Sequence, residues 1–196
     1  MLVKICGITV RDDAVAAIDA GAGALGFNFW PKSPRYISPD TAAAIAPNAA
    51  GVLRVGVFVG ESAARIREIA AAVDLDVVQL HGEFDPPGEA RIWRAVAVRG
   101  DFSPSLLTGA AEAFLLDAPA GELHGGSGRT FDWDLVRGLD RRIVLAGGLD
   151  ASNVERAIEV ARPWGVDACS RLESSPGKKD HRKVADFCKA ALKASS

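Results

Sequence analysis

Three segments late in the sequence have the composition of an anion cradle: Gly125-Gly126-Ser127-Gly128, Gly147-Gly148, and Cys169-Ser170 with Ser174-Ser175-Pro176-Gly177 close behind. Glycine lets the backbone approach a ligand closely and adopt positive φ, so amides around Gly126, Gly128, Gly147, Gly148, Cys169 and Ser170 can converge on one phosphate without a lysine. Any one pair alone reads better as a helix cap or a tight turn. Their joint placement after the last three apolar runs of the chain favours the phosphate. Two titratable side chains close apolar runs of their own. Cys6 follows Leu2 to Ile5, and Asp117 follows Phe114-Leu115-Leu116. A free thiol with a pKa of about 8.5 is only a few per cent ionised at neutral pH, so proton chemistry at Cys6 requires surroundings that favour the thiolate. The alternative is a small buried apolar residue. Asp117, with Ala118-Pro119 behind it, either starts a turn or is a carboxyl group whose pKa rises with partial burial.

The elements that must position these groups are visible as short apolar runs rich in Val, Ile, Leu and Phe. They span 2–6, 24–27, 53–58, 76–80, 91–96, 113–116, 142–145 and 166–168, eight in all. Most are followed by a polar or glycine-rich break and then by helical spacing, as in 11–20, 62–73, 152–161 and 182–192. That alternation indicates parallel β/α units. Strands without apolar–polar alternation suit a sheet covered on both faces. Eight units in one domain, residues 1–196, predict a single closed (β/α)8 or TIM barrel; an open doubly wound sheet is the competing architecture. With roughly 25 residues per unit the barrel is compact. The fifth unit, around Phe102 to Gly109, carries breaking signals and little helical pattern, so a short or irregular helix is expected there. The longer connections, 28–38 and 118–132, lie after the second and sixth strands, where a barrel places its chemistry.

Composition narrows the ligand. The chain has 196 residues, 48% of them hydrophobic, and a formal net charge of -2. It has no global attraction for nucleic acid or an anionic membrane, so an anionic ligand must be captured locally. A small phosphorylated metabolite fits that constraint. The basic run Lys178-Lys179-Asp180-His181-Arg182-Lys183 opens the last helical stretch, is not interleaved with aromatic residues, and reads as a solvated face. Cys6, Cys169 and Cys188 are odd in number and lack zinc or disulfide spacing, which favours reduced thiols in a cytoplasmic protein. No apolar run has membrane-spanning length, and no signal peptide is visible. Monomer and homodimer are both compatible with the sequence.

In their order, several motifs together resemble the phosphoribosylanthranilate isomerase family along essentially the whole chain. They are Lys4-Ile5-Cys6-Gly7-Ile8-Thr9, Gly26-Phe27 with Ser33-Pro34-Arg35-Tyr36, Val55-Gly56-Val57-Phe58, and Gln79-Leu80-His81-Gly82. They continue with Leu115-Leu116-Asp117, Gly125 to Trp133, Leu145-Ala146-Gly147-Gly148-Leu149, Gly165-Val166-Asp167, and Glu173-Ser174-Ser175-Pro176-Gly177. The resemblance implies an Amadori rearrangement in tryptophan biosynthesis. N-(5-phosphoribosyl)anthranilate would become 1-(2-carboxyphenylamino)-1-deoxyribulose 5-phosphate, with no cofactor and no metal. It further implies Cys6 as general base, Asp117 as general acid, and Arg35 as the arginine that holds the anthranilate carboxylate, a role suited to a planar guanidinium fork. Asp167 would hold sugar hydroxyls; capping the following helix is its other plausible job. His81 would border the pocket without transferring a proton. Many family members carry two serines where this chain reads Cys169-Ser170, so a thiol replaces one hydroxyl. Phosphate binding there survives if it depends on backbone N–H groups.

Two other readings compete. The barrel isomerase of histidine biosynthesis performs the same rearrangement on another aminoaldose, but that family ends its first and fifth strands in aspartate. Here the first ends in Cys6, and the fifth run, 91–96, ends without a carboxylate. A barrel that only binds a sugar phosphate is the non-enzymatic alternative. Loss of Cys6 or Asp117 would have favoured it, and both are present.

Overall fold

In a closed barrel the side chains of each strand alternate between the interior and the surrounding helices, so residue parity decides which groups can meet at the centre. The structure, a computed structural model, describes residues 1–46, 51–85, 88–119, 128 and 130–194. Its eight parallel strands close in sequential order: β1 (Leu2–Cys6), β2 (Ala24–Asn28), β3 (Leu53–Val59), β4 (Val77–His81), β5 (Ile92–Ala97), β6 (Ala113–Asp117), β7 (Ile143–Leu145) and β8 (Gly165–Ala168). β8 closes on β1 with Lys4 opposite Asp167 and Ile5 opposite Ala168. The open-sheet alternative is thereby excluded.

Outward-facing residues such as Ile5, Leu25, Phe27, Phe58, Leu80, Phe114, Leu116 and Val166 belong to the large core shared with the helices. The opposite parity lines the interior. Ala24, Val55, Val77, Trp93, Ala113, Leu115, Val144 and Ala146 form a second buried cluster, with Trp164 edge-on to Trp93 at 5.8 Å. This apolar floor fills the barrel and leaves polar groups of the same parity at the carboxyl ends of the strands.

Among the described residues, five α-helices cover the outside: α1 (Arg11–Asp19), α2 (Pro39–Ile45), α3 (Ala63–Val73), α4 (Val154–Ala161) and α5 (His181–Ala194). Their starts follow capping chemistry. Ser38 Oγ accepts from Thr41 N ahead of Pro39, and Ser62 Oγ accepts from Arg65 N. The fifth unit holds a single 3-10 turn, Pro104–Leu106, in place of a helix. The sixth has another, Trp133–Val136, and no helix joins β4 to β5 among the described residues.

One expectation is corrected. The basic run at 178–183 is not simply a solvated face. Lys178–Lys179 form a strand, β10, antiparallel to β9 (Glu173–Ser175), and Lys179 is buried with its Nζ 3.1 Å from Glu173 Oε1. Asp13 of α1 accepts from the Lys179 backbone N–H and lies 2.8 Å from His181 Nε2, tying the hairpin to the barrel's first helix. A local charge pattern does not reveal this, because the partners of Lys179 lie on other elements.

Candidate active site

Parity carries Lys4 and Cys6, Asn28, Gln79 and His81, Asp117, and Asp167 and Cys169 to the inner face, and the carboxyl ends of their strands converge on one cleft. That cleft is lined by Cys6, Arg35, His81, Asp117, Gly147, Gly148, Asp167, Cys169 and Ser170. Gly128 joins the same rim from the loop after β6, with Ser170 Oγ 3.8 Å from the position a Cβ would occupy there. Gly126 lies outside the described residues.

Lys4 is the group whose importance the sequence concealed. Fully buried two residues before Cys6, it places Nζ 2.8 Å from Asp167 Oδ1 across the β1–β8 seam. Burial opposes its charge, but Asp167 and the Cys6 sulfur outweigh burial and hold the ammonium well above the usual lysine range. Asp167 therefore pairs with Lys4; the cap of the following 3-10 turn is Cys169, without a side-chain bond. Removing one member of a buried pair leaves an uncompensated charge, so Asp167→Ala is expected to cost about 3 kcal/mol of stability. Lys4→Met with Asp167→Leu should recover most of it. Urea melts test both; an unchanged midpoint in Asp167→Ala would show that the pair is not a stability element.

The Cys6 thiol is pushed down from its ordinary value. The largest cause is a hydrogen bond from the Cys169 thiol; burial works against ionisation, and the Lys4 ammonium favours it. The same hydrogen bond, together with burial, pushes Cys169 up. The two sulfurs thus bias each other in opposite senses, Cys6 toward the thiolate and Cys169 toward the thiol. Asp117 moves in the opposite sense. Burial, and then the negative charge of Asp167, raise its carboxyl to about 7 against a donated hydrogen bond from the Ala118 backbone. One cleft therefore holds a thiol and a carboxyl group whose surroundings drive their pKa values in opposite directions, a pattern enriched at proton-transfer sites.

Backbone geometry keeps these groups apart and in place. Gly147, at φ 88°, stands where a Cβ would come within 2.9 Å of Asp117 Oδ1 and 2.8 Å of Ala118 N, so no side chain fits there without displacing the carboxyl group. Gly148 follows with φ 58° and Gly128 has φ 69°, conformations that suit a backbone anion nest. The Arg171 side chain bridges the rim, its Nε donating to Gly128 O at 3.0 Å and Nη1 lying 2.7 Å from Asp150 Oδ2.

On the opposite rim, Arg35 packs its alkyl chain over Gly7 and pairs with the buried Glu173, Nε to Oε1 and Nη2 to Oε2 both at 2.8 Å. Burial opposes the Arg35 charge, and the hydrogen bonds to Glu173 hold it above the usual range. Glu173, shared with Lys179, is held below the ordinary carboxylate value by those two cations despite its burial. Arg35 and Lys179 against one carboxylate leave an excess positive charge. The edge of Arg35 carrying Nη1 is not used in this pair. Gln79 and His81 touch at 2.9 Å through their Nε2 atoms, and Gln79 Oε1 is buried without a partner among the described residues. Sequence reasoning missed Lys4, Gln79, Glu173 and Lys179 as site groups. A lysine inside an otherwise apolar strand run was the one available signal.

The fold and the cleft define a (β/α)8 barrel whose mouth sets a thiol and a carboxyl group of shifted acidity among glycine-rich loops. Residues 3–190 match the family model described as N-(5'-phosphoribosyl)anthranilate (PRA) isomerase. A relative of that name from Solibacter usitatus is 56% identical over 97% of both chains. The crystal structure of phosphoribosyl anthranilate isomerase from Thermotoga maritima superposes with a TM-score of 0.88 at 41% identity, covering 98% of this chain and 99% of that one. A further solved structure, in complex with reduced 1-(o-carboxyphenylamino)-1-deoxyribulose 5-phosphate, has a TM-score of 0.84 at 39% identity, covering 98% and 100%. The chain belongs to the N-(5'-phosphoribosyl)anthranilate isomerase family.

Proposed function

We propose that this protein converts N-(5'-phosphoribosyl)anthranilate into 1-(2-carboxyphenylamino)-1-deoxyribulose 5-phosphate, a step of tryptophan biosynthesis. The observation that carries the reading is the opposed tuning of Cys6 and Asp117 in one cleft. Asp117, protonated near neutral pH, gives its proton to the ribose ring oxygen and opens the ring to an iminium ion. The Cys6 thiolate then removes the C2 proton, giving an enolamine that tautomerises to the ketose. Each transfer suits a group whose pKa lies near the working pH.

Binding follows from the rims. The backbone at Gly128, Gly147, Gly148, Cys169 and Ser170 receives the phosphate, and the unused edge of Arg35 receives the anthranilate carboxylate. Because phosphate capture there relies on main-chain N–H groups, the thiol at position 169 is compatible with it. Asp167, steadied by Lys4, has a free oxygen for a sugar hydroxyl. His81 borders the pocket without transferring a proton. The chemistry described uses no metal or redox cofactor. Of the two competing readings, the histidine-pathway isomerase is disfavoured because β5 ends in Ala97, leaving no carboxylate opposite the thiol. The binding-only reading leaves the tuned pair without a role.

The test is direct: purified protein incubated with N-(5'-phosphoribosyl)anthranilate should discharge the substrate's fluorescence catalytically. No turnover would reject the assignment. In the same assay Arg35→Ala should raise KM by about tenfold or more, the loss of a charge-assisted bidentate contact, and unchanged KM and kcat would remove Arg35 from binding.

A further inference from the structure

The thiol that replaces a hydroxyl at position 169 stands beside the thiol that the mechanism uses. β1 and β8 are neighbours in the barrel, with Lys4 opposite Asp167 and Ile5 opposite Ala168. Extending that register by one residue sets Cys6 opposite Cys169. Hydrogen-bonded strands lie about 4.8 Å apart, inside the range of about 4.4–6.8 Å between Cα atoms that a disulfide spans. Both residues have inward parity and both line the cleft. The Cys169 sulfur lies 2.9 Å from where a Cβ on Gly7, the residue after Cys6, would stand, and the Cys6 sulfur lies 2.7 Å from that position on Gly26. Each sulfur thus occupies space that a side chain at Gly7 or Gly26 would fill, with Arg35 beside the Cys169 sulfur and Lys4 beside that of Cys6.

From this geometry we infer that Cys6 and Cys169 form an oxidative modification site, a reversible disulfide made by hydrogen peroxide of the surrounding medium. The chemistry balances. The Cys6 thiolate attacks one peroxide oxygen, the O–O bond breaks, and hydroxide leaves to give a sulfenic acid. Cys169, yielding its proton, attacks the Cys6 sulfur; the S–S bond forms, the S–O bond breaks, and hydroxide departs as water. Two thiols are oxidised and one peroxide is reduced to two waters. Both sulfurs have a cation at hand to assist, Lys179 Nζ at 3.7 Å from Cys169 and Lys4 acting on Cys6. The third thiol, Cys188, is buried in α5 and its acidity is suppressed to about 11 by burial, so it stays reduced. The effect on turnover rests on the role proposed for Cys6; formation of the bond does not.

The experiment exposes the reduced protein to hydrogen peroxide and follows intact mass, thiol titration after denaturation, peptide mapping and activity. We expect the loss of two of the three thiols, a mass lower by two hydrogens, and a Cys6–Cys169 cross-link. Activity should vanish and return with dithiothreitol. Cys169→Ser, and independently Cys169→Ala, should show no mass decrease. Each should instead gain oxygen on Cys6 and lose its own starting activity in a way that dithiothreitol reverses only at early times. Retention of three thiols in the wild-type chain, oxygen adducts without a cross-link, or a cross-link through Cys188 overturns the proposal. A Cys6–Cys169 cross-link with undiminished turnover would confirm the modification site and refute Cys6 as the base.

Discussion

Cys6→Ala should lower kcat by about a thousand-fold, within the range that a positioned general base contributes, while KM changes little. In the proposed mechanism the thiolate acts on the C2 proton of substrate that the phosphate and carboxylate contacts already hold, so its removal should fall on the chemical step. A thousand-fold loss is about 4 kcal/mol of transition-state stabilisation. Cys6 is buried and small, so alanine leaves only a minor void and melts should stay close to wild type. The pH profile gives a second reading. In the proposed mechanism a wild-type acid limb should report protonation of the thiolate that Cys169 and Lys4 favour, with kcat/KM falling below it. That limb should be absent from whatever turnover Cys6→Ala retains. Near-normal kcat with an intact fold would eliminate the thiol as the base.

Asp117→Asn should be at least as damaging, by about a thousand-fold or more in kcat, because an amide cannot protonate the ring oxygen and the ribose stays closed. Its pH signature is the reverse. In the proposed mechanism a wild-type alkaline limb is expected as Asp117, raised to about 7, loses the proton it donates, so kcat/KM should fall above neutrality. The stability effect also has a definite sign. A carboxyl group whose folded pKa exceeds its unfolded value makes the native state progressively less stable as pH rises from about 4 toward 7. Asp117→Asn removes that penalty and should stabilise the protein at pH 8 by on the order of 3 kcal/mol, with little gain at pH 4. Loss of activity with a gain in stability that appears only at neutral and alkaline pH separates a strained catalytic group from a structural one. Equal melts at both pH values would show that Asp117 is not held against its ionisation.

The residues that carry the strands were legible because a buried parallel strand is a short apolar run, and the run at 113–116 already placed Asp117 at its exit. The thin fifth unit was also legible, since Pro104 and the small polar residues around it leave no helical face to bury. That no helix joins β4 to β5 among the described residues was not, because a parallel crossover is usually helical. Lys179 misled for a related reason. Next to Lys178 and Asp180 it looks solvated, yet its partner Glu173 is held in place by Arg35 from the loop after β2.

Along the chain, composition and periodicity determined the order of the strands, the strand-end positions of Cys6, Asp117 and Asp167, and the glycines whose backbone can face an anion. Those properties are local: they depend on each residue's own conformational freedom and on short apolar runs, whereas runs without alternation leave the inward parity to the closed barrel. What the tertiary structure decided is which inward groups touch. Closure of β8 on β1 brings residues 163 positions apart into the Lys4–Asp167 pair and sets the Cys169 thiol against Cys6. That contact, with burial in an apolar barrel, sets the charge on each group, because the free energy of an ion depends on its neighbours and on the water it has lost.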